Sequence, residues 1–330
     1  MGEAVQSILA QSFTNFELIV INDGSTDNTQ VILEGLRDYD SRVILISREN
    51  IGLIGSLNEG IDLARGIWIA RMDADDIALP QRFELQLQWL EQTGADITGS
   101  WVKRFGTSDK RVVRLRQTDE AIKMEMLFCS PFAHPAVMMR AALVKQLRYD
   151  SAWESIEDYD LWERAAEAGW KMTNVPDVLL LYRIHASQIS AKSTNRQRQL
   201  GEAIRRRYWH FVFHSKRLNL EWIDTTLKAF ESSLSDVDMD AVDASLNSLF
   251  QHNHGESKDV IFDHATRLYF RVAASTPEIV SRWGRLNREY GEGRGIATKI
   301  QLWLFRWLRI RTDGILFKMI KDIYIWRASR

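Results

Sequence analysis

Cysteine is nearly absent, with Cys129 the only one in 330 residues. A single thiol excludes an intrachain disulfide and any cysteine-rich metal site, and it suits a reducing compartment. An excess of either charge is also missing. With 43 Lys and Arg against 44 Asp and Glu, the formal net charge is -1, so no overall basic field exists to drive sequence-independent nucleic-acid binding. Nucleic acid is therefore not an expected partner. No apolar run approaches the roughly 20 residues that a membrane-spanning helix needs. Nor does the chain open with a basic segment and an apolar core in the manner of a secretory leader. These absences predict a cytoplasmic protein that does not cross a membrane. What is present is ordinary globular composition, 45% hydrophobic and 26% charged, enough for one large domain or two ordinary ones.

Apolar spacing organises the first half. "EAVQSILAQSF" places Val5, Ile8, Leu9 and Phe13 on one helical face, and "FELIVIND" follows with four consecutive apolar residues, Leu18 to Ile21, the pattern of a strand buried on both sides. "GSTDNTQVILEGL" begins a second helix with capping residues, "RVILIS" is a second strand, "GLIGSLNEGIDLARG" a helix closed by Gly66, and "IWIARM" a third strand. This alternation predicts a parallel sheet covered on both sides. Ligands in such sheets sit at the carboxyl ends of strands, where "NDGS" and "DADD" fall. "PQRFELQLQWLEQTG" reads as an amphipathic helix and "ADITGSWVKRF" as a strand, while about 105 to 150 reads as loop-rich. "EDYDLWERAAEAG" is a helix and "VPDVLLLYRIH" the last clear strand. From about 195 the pattern becomes helical.

"IARMDADDIALP" crowds Asp73, Asp75 and Asp76 just before Pro80. Two unit charges 4 Å apart repel by about 4 kcal/mol at an effective dielectric near 20, so the cluster calls for a cation, solvent or a shared proton. Two readings stand on these residues alone: a divalent ion bound through oxygen, or an Asp cap on a helix begun by Pro80 with the other carboxylates solvated.

In this order and spacing, "VINDGSTDNT", "NIGLIGSLNEGIDLARGIWIARMDADD", "HPAVMMR", "EDYDLWERAAEAG" and "YRIH" resemble the family 2 glycosyltransferases, whose catalytic domain has the GT-A fold. The resemblance covers about residues 2 to 190. It implies an α/β catalytic domain over 1–194, a Rossmann-like mostly parallel sheet with helices on both faces, followed by a helical region over 195–330. The implied activity is inverting, metal-dependent transfer of a sugar from a nucleotide-diphospho-sugar, a UDP-sugar first, to a hydroxyl acceptor. A saccharide or lipid-linked saccharide acceptor in surface-polysaccharide or lipopolysaccharide assembly would suit it. The resemblance also assigns residues. Asp23 would contact the base, Asp73 the ribose, and Asp75 the Mn²⁺ or Mg²⁺ that bridges the diphosphate. Asp158, beside Glu157, falls on the general base. His185 and Arg183 fall near the metal and diphosphate, and His134 near the sugar and acceptor. Asn50 and Gly52 open a helix whose N-H groups could face the nucleotide. Each has a plainer reading as a turn former, helix-end acid or packing residue, and Asp76 reads as a supporting acceptor or the helix cap.

Two features stand apart. The family domain opens with an apolar strand and a Pro-x-Tyr-Asn-like motif, whereas this chain starts at the helix that follows. The implied fold puts that strand in mid-sheet, where its loss would leave two ladders of backbone groups unpaired. The expectation is a fragment or a misassigned start, and an in-frame stop directly before Met1 would contradict it. The second feature is the tail. Lys299 to Arg330 carries eight Lys and Arg against two Asp, a net +6 that leaves -7 for the rest. Mixed with Trp, Leu and Ile, this composition suits a helix lying on an anionic membrane surface, at the inner face of the plasma membrane, or one packed on its own protein. Two other functions compete with this reading. A nucleotidyltransferase would need a glycine-rich, basic opening motif that is not seen. A catalytically impaired or non-catalytic nucleotide-sugar-binding protein would follow from the missing strand.

Overall fold

In the computed structural model, residues 1–185, 195–231, 237–291 and 296–310 are described. The chain divides into two compact units, Met1–Arg205 and Arg206–Arg330. The tail from 311 onward, and with it most of the basic segment, lies outside the described residues.

The first unit opens with α1 (Gly2–Leu9), β1 (Leu18–Asp23), α2 (Thr29–Tyr39), β2 (Val43–Arg48) and α3 (Gly52–Leu63). β1 and β2 pair in parallel from Leu18↔Val43 to Asp23↔Arg48. Val5 of α1, Val20, Leu33 of α2 and Val43 form the core over this pair, which is why the apolar runs at these positions become a strand pair under helices.

A second sheet follows: β3 (Trp68–Ala70), β4 (Ile77–Ala78), α4 (Arg82–Thr93), β5 (Ile97–Phe105), β6 (Val112–Val113), α5 (Asp119–Glu125), β7 (Met138–Arg140), α6 (Ala141–Leu147), α7 (Glu157–Glu167) and β8 (Met172–Arg183). Its strand order is β3-β7-β5-β8-β4, with β6 on β5. The longest ladder, β5 with β8, is parallel, while the short β3–β7, β4–β8, β5–β6 and β5–β7 ladders are antiparallel. The expected α/β architecture is present, with two differences. The single sheet expected from strand alternation is split in two, because β1 pairs only with β2 and β3 only with β7 among the described residues. The region from 105 to 150 contains α5, β7 and α6 rather than loop alone. Gly94, left-handed at φ 62°, ends α4.

The second unit takes in the end of α8 (Asn195–Ser215), then α9 (Ile223–Glu231), α10 (Met239–Gln251), α11 (Gly255–Val272), α12 (Ile279–Tyr290) and α13 (Ile296–Trp307). Its core includes Trp209, Phe213, Leu246, Ile261, Leu268 and Trp283. Asp243 ties the helices together, accepting from Tyr269 Oη at 2.6 Å and pairing with Arg282 at 2.6 Å. Among the described residues no helix is long and apolar enough to cross a membrane.

Candidate active site

Three groups of polar side chains gather at strand and helix ends of the first unit. The first is at the tip of β1. Gly24, at φ +77°, lets the chain turn where a Cβ would meet Asn50 N at 2.9 Å. The Asp23 carboxylate accepts from Ile51 N at 2.8 Å and Gly52 N at 3.0 Å, the first N-H groups of α3, and pairs with Arg48. Asn50 Nδ2 donates to the Asp23 carbonyl at 2.8 Å. Partial burial opposes ionisation of Asp23, but these donors prevail and hold its pKa below the usual carboxylate value. Asp23 is thus a negative charge at the positive end of a helix.

The second group is the acidic turn after β3. Arg71 extends β3, donating its N-H to Val137 O at 3.0 Å, and its side chain is only 9% exposed. The guanidinium grips Asp73 with both ends, at 2.5 and 2.9 Å. Asp76 N returns to Asp73 O, closing the turn. Asp76 is fully buried. Its Oδ1 accepts from Arg183 N at 2.8 Å, continuing the β4–β8 pairing, while its Oδ2 has no partner among the described residues. Burial above all, with repulsion from Asp73 and Asp75, raises its carboxyl to about 7. Asp76 is therefore not a helix cap; the N-cap of α4 is Gln81. Asp75 faces outward, 38% exposed, with Oδ2 at 2.8 Å from His185 Nε2, and its carbonyl accepts from Arg183 Nε at 2.6 Å. One oxygen from each of Asp73, Asp75 and Asp76 lies within 4.8 Å of the others. Hard oxygen donors, an imidazole alongside and a buried oxygen lacking a donor form a set that fits Mg²⁺ or Mn²⁺.

The third group surrounds the start of α7. Glu157 is buried with Oε2 lacking a partner among the described residues, and its Oε1 lies 4.0 Å from His134 Nδ1. Asp158 is partly buried and accepts from Ser130 Oγ at 3.1 Å. Burial raises the pKa of both carboxyls, and the charge of Arg71 opposes the rise in each. His134 shares a 2.8 Å hydrogen bond with the buried Tyr149 hydroxyl. Burial, reinforced by Arg71, holds its pKa well below 6.5 and keeps it neutral. Tyr149 is in turn clasped through its backbone by the Asn58 amide, at 2.9 Å in both directions. Because Asn58 lies on α3 and Asp23 binds the N-terminus of α3, one helix links the first group to the third.

The structure thus brings Asp73, Asp75, Arg183 and His185 together, and His134, Glu157 and Asp158 together, with Arg71 between the two sets. Asp23 and Asn50 form their own cluster at the other end of α3. Arg71, Tyr149, Ser130 and Asn58 were not legible as site residues. For Arg71 alone a signal existed, an arginine between an apolar strand and an acidic triplet.

Comparison with known proteins agrees with this picture. The family model for glycosyl transferase family 2 matches residues 1–147. An uncharacterized glycosyltransferase of Haemophilus influenzae is 34% identical over 222 residues, covering 62% of this chain and 68% of that protein. The O-antigen biosynthesis glycosyltransferase WbnJ of Escherichia coli is 32% identical over 187 residues, covering 55% and 73%. Among solved structures, S. aureus TarS 1-349, determined in complex with UDP-GlcNAc, shares the fold at 15% identity with a TM-score of 0.55, covering 89% of this chain and 88% of that one. The chain belongs to glycosyltransferase family 2 and is a glycosyltransferase of the GT-A fold.

Proposed function

We propose that this enzyme is an inverting, divalent-metal-dependent transferase that takes its sugar from a UDP-sugar. The acceptor in this reading is a hydroxyl of a saccharide or lipid-linked saccharide in surface-polysaccharide assembly. The observation that carries the reading is Arg71, a buried guanidinium that grips Asp73 and whose charge acts on Asp76, Glu157 and Asp158. Strand-end and helix-start carboxylates then serve one centre. The O-antigen role of WbnJ supports the polysaccharide setting, and the single cysteine supports action in the cytoplasm.

Asp158 is the general base. With Ser130 holding its Oδ2, the carboxylate takes the proton of the acceptor hydroxyl as the oxygen–carbon bond forms at the anomeric carbon and the bond to the diphosphate breaks. Displacement from the face opposite the leaving group inverts the centre. Glu157 and neutral His134 line the sugar and acceptor side. Asp73, fixed by Arg71, faces the ribose, and Arg183 and His185 the diphosphate. Asp23 and Asn50 take the base. A carboxylate has about four acceptor sites, and Asp23 spends three on Arg48, Ile51 and Gly52, leaving one for the imide N-H of uracil. Asp75, with His185 and Asp76, would hold Mn²⁺ or Mg²⁺, which supplies charge neutralisation at the departing nucleotide.

The test is donor hydrolysis. Wild-type protein with Mn²⁺ and a panel of UDP- and GDP-sugars should release UDP and a free sugar whose first-formed anomer, read by NMR, is inverted, and Asp158→Asn should release far less. Turnover of GDP-sugars alone would remove the UDP assignment, and a retained anomer would remove the inverting mechanism.

A further inference from the structure

Helix α13 is apolar on two sides. On one, Leu302 and Phe305 are buried, and Phe305 meets Phe270 of α11 edge-on at 5.1 Å. On the other, Ile300, Trp303, Leu304 and Trp307 recur at i, i+3, i+4 and i+7, the spacing of one continuous helical stripe. All four are exposed, at 55%, 52%, 37% and 68%, and Leu308 extends the stripe. The two tryptophan rings lie parallel within 4°, with centroids 5.8 Å apart. Such a stripe on a water-soluble helix is ordinarily buried, and a contiguous exposed one marks an interaction surface. Its own segment is basic: Lys299 and Arg309 are exposed, and no Asp or Glu occurs between residues 296 and 312.

We infer that α13 is an interfacial anchor that seats its tryptophan stripe at the headgroup level of an anionic lipid surface. Tryptophan favours that depth because its ring is apolar while its N-H remains hydrated, and flanking lysine and arginine are attracted by anionic headgroups. Charge selects this occupant over a second copy of the chain. A second copy would bring a second set of the same charges, Lys299 and Arg309 among them, with no acidic residue of 296–312 to offset them, whereas an anionic surface compensates that charge. The inference is independent of the donor reading, since no residue of the active site takes part.

The experiment is sedimentation of the full chain with vesicles of phosphatidylglycerol and phosphatidylcholine, or of phosphatidylcholine alone, with size-exclusion chromatography of the same samples. The anionic vesicles should bring the protein down and the neutral ones much less. Trp303→Ser/Trp307→Ser should lower partitioning about tenfold. Lys299→Glu/Arg309→Glu should lower it several-fold, as should high salt, which screens surface charge. All four residues are exposed, so each variant should keep the wild-type circular dichroism, and the charge variant tests the inference even if the tryptophan variant does not fold. Equal recovery in the supernatant with and without anionic lipid would overturn the inference, as would tryptophan variants that sediment like wild type. A wild-type dimer that dissociates in Trp303→Ser/Trp307→Ser without lipid dependence would assign the stripe to a second copy and also overturn it.

Discussion

The aspartates at the tips of β1 and β3 hold comparable positions and differ in how the protein treats them. Asp23 is met by two backbone N-H groups and an arginine, and its pKa falls. Asp76 is fully buried with one oxygen unmet among the described residues, Glu157 has a buried oxygen without a donor among them, and the pKa values of both rise. A satisfied carboxylate stabilises the fold, whereas an unsatisfied buried one costs stability and persists where a ligand completes it. The first tip therefore anchors α3 whatever it binds, and in the proposed reading the second is completed by a ligand.

The largest effect expected from this contrast is on rate. Asp158→Asn should reduce transfer about 10²- to 10⁴-fold while leaving the thermal midpoint within a few degrees of wild type, which activity and melting measurements read together. The rate should also fall on the acid side, because the base must be ionised. Since burial raises the pKa of Asp158, the fall should begin at higher pH than for an ordinary carboxylate near 3.9, and a pH–rate profile checks it. Next come effects on stability. Asp23→Ala removes the anion at the start of α3 and leaves Arg48 without it, so unfolding in urea should show a loss of about 2 kcal/mol. Gly24→Ala meets Asn50 N at 2.9 Å in a left-handed backbone, and should cost about 1–2 kcal/mol by the same measurement. The smallest change is predicted at the opposite tip. Asp76→Asn keeps an oxygen to accept from Arg183 N and removes a buried charge, so stability should stay within about 0.5 kcal/mol or improve, at the expense of metal-dependent nucleotide binding. A large loss of stability there would erase the distinction between the tips.

Much of this was legible in the sequence where elements were long or motifs crowded. Helices α4 and α7 and strands β1, β5 and β8 carry enough residues for their period to show, and Asp23, Asp75 and Asp158 stand in segments with recognisable neighbours. The rest depends on tertiary proximity. β4 has two residues and β7 three, and α5 and α6 have seven each, too short for periodicity to separate them from loop. Tyr149 becomes a site residue through the bond of its hydroxyl to His134, with its backbone held by Asn58, 91 positions away. Arg71 matters because folding sets it between two acidic groups distant in sequence. The splitting of the sheet was equally hidden, since alternation of strands and helices gives order along the chain but not the partner of each strand edge.

The most direct test is calorimetric titration of UDP into the folded wild-type chain, Asp75→Asn and Asp158→Asn, each with and without Mn²⁺. The account predicts Mn²⁺-dependent binding in wild type, its loss in Asp75→Asn and its retention in Asp158→Asn, because the acidic turn serves the donor and Asp158 the acceptor. Binding that ignores both Mn²⁺ and Asp75→Asn, or that disappears in Asp158→Asn while that variant remains folded, would contradict it.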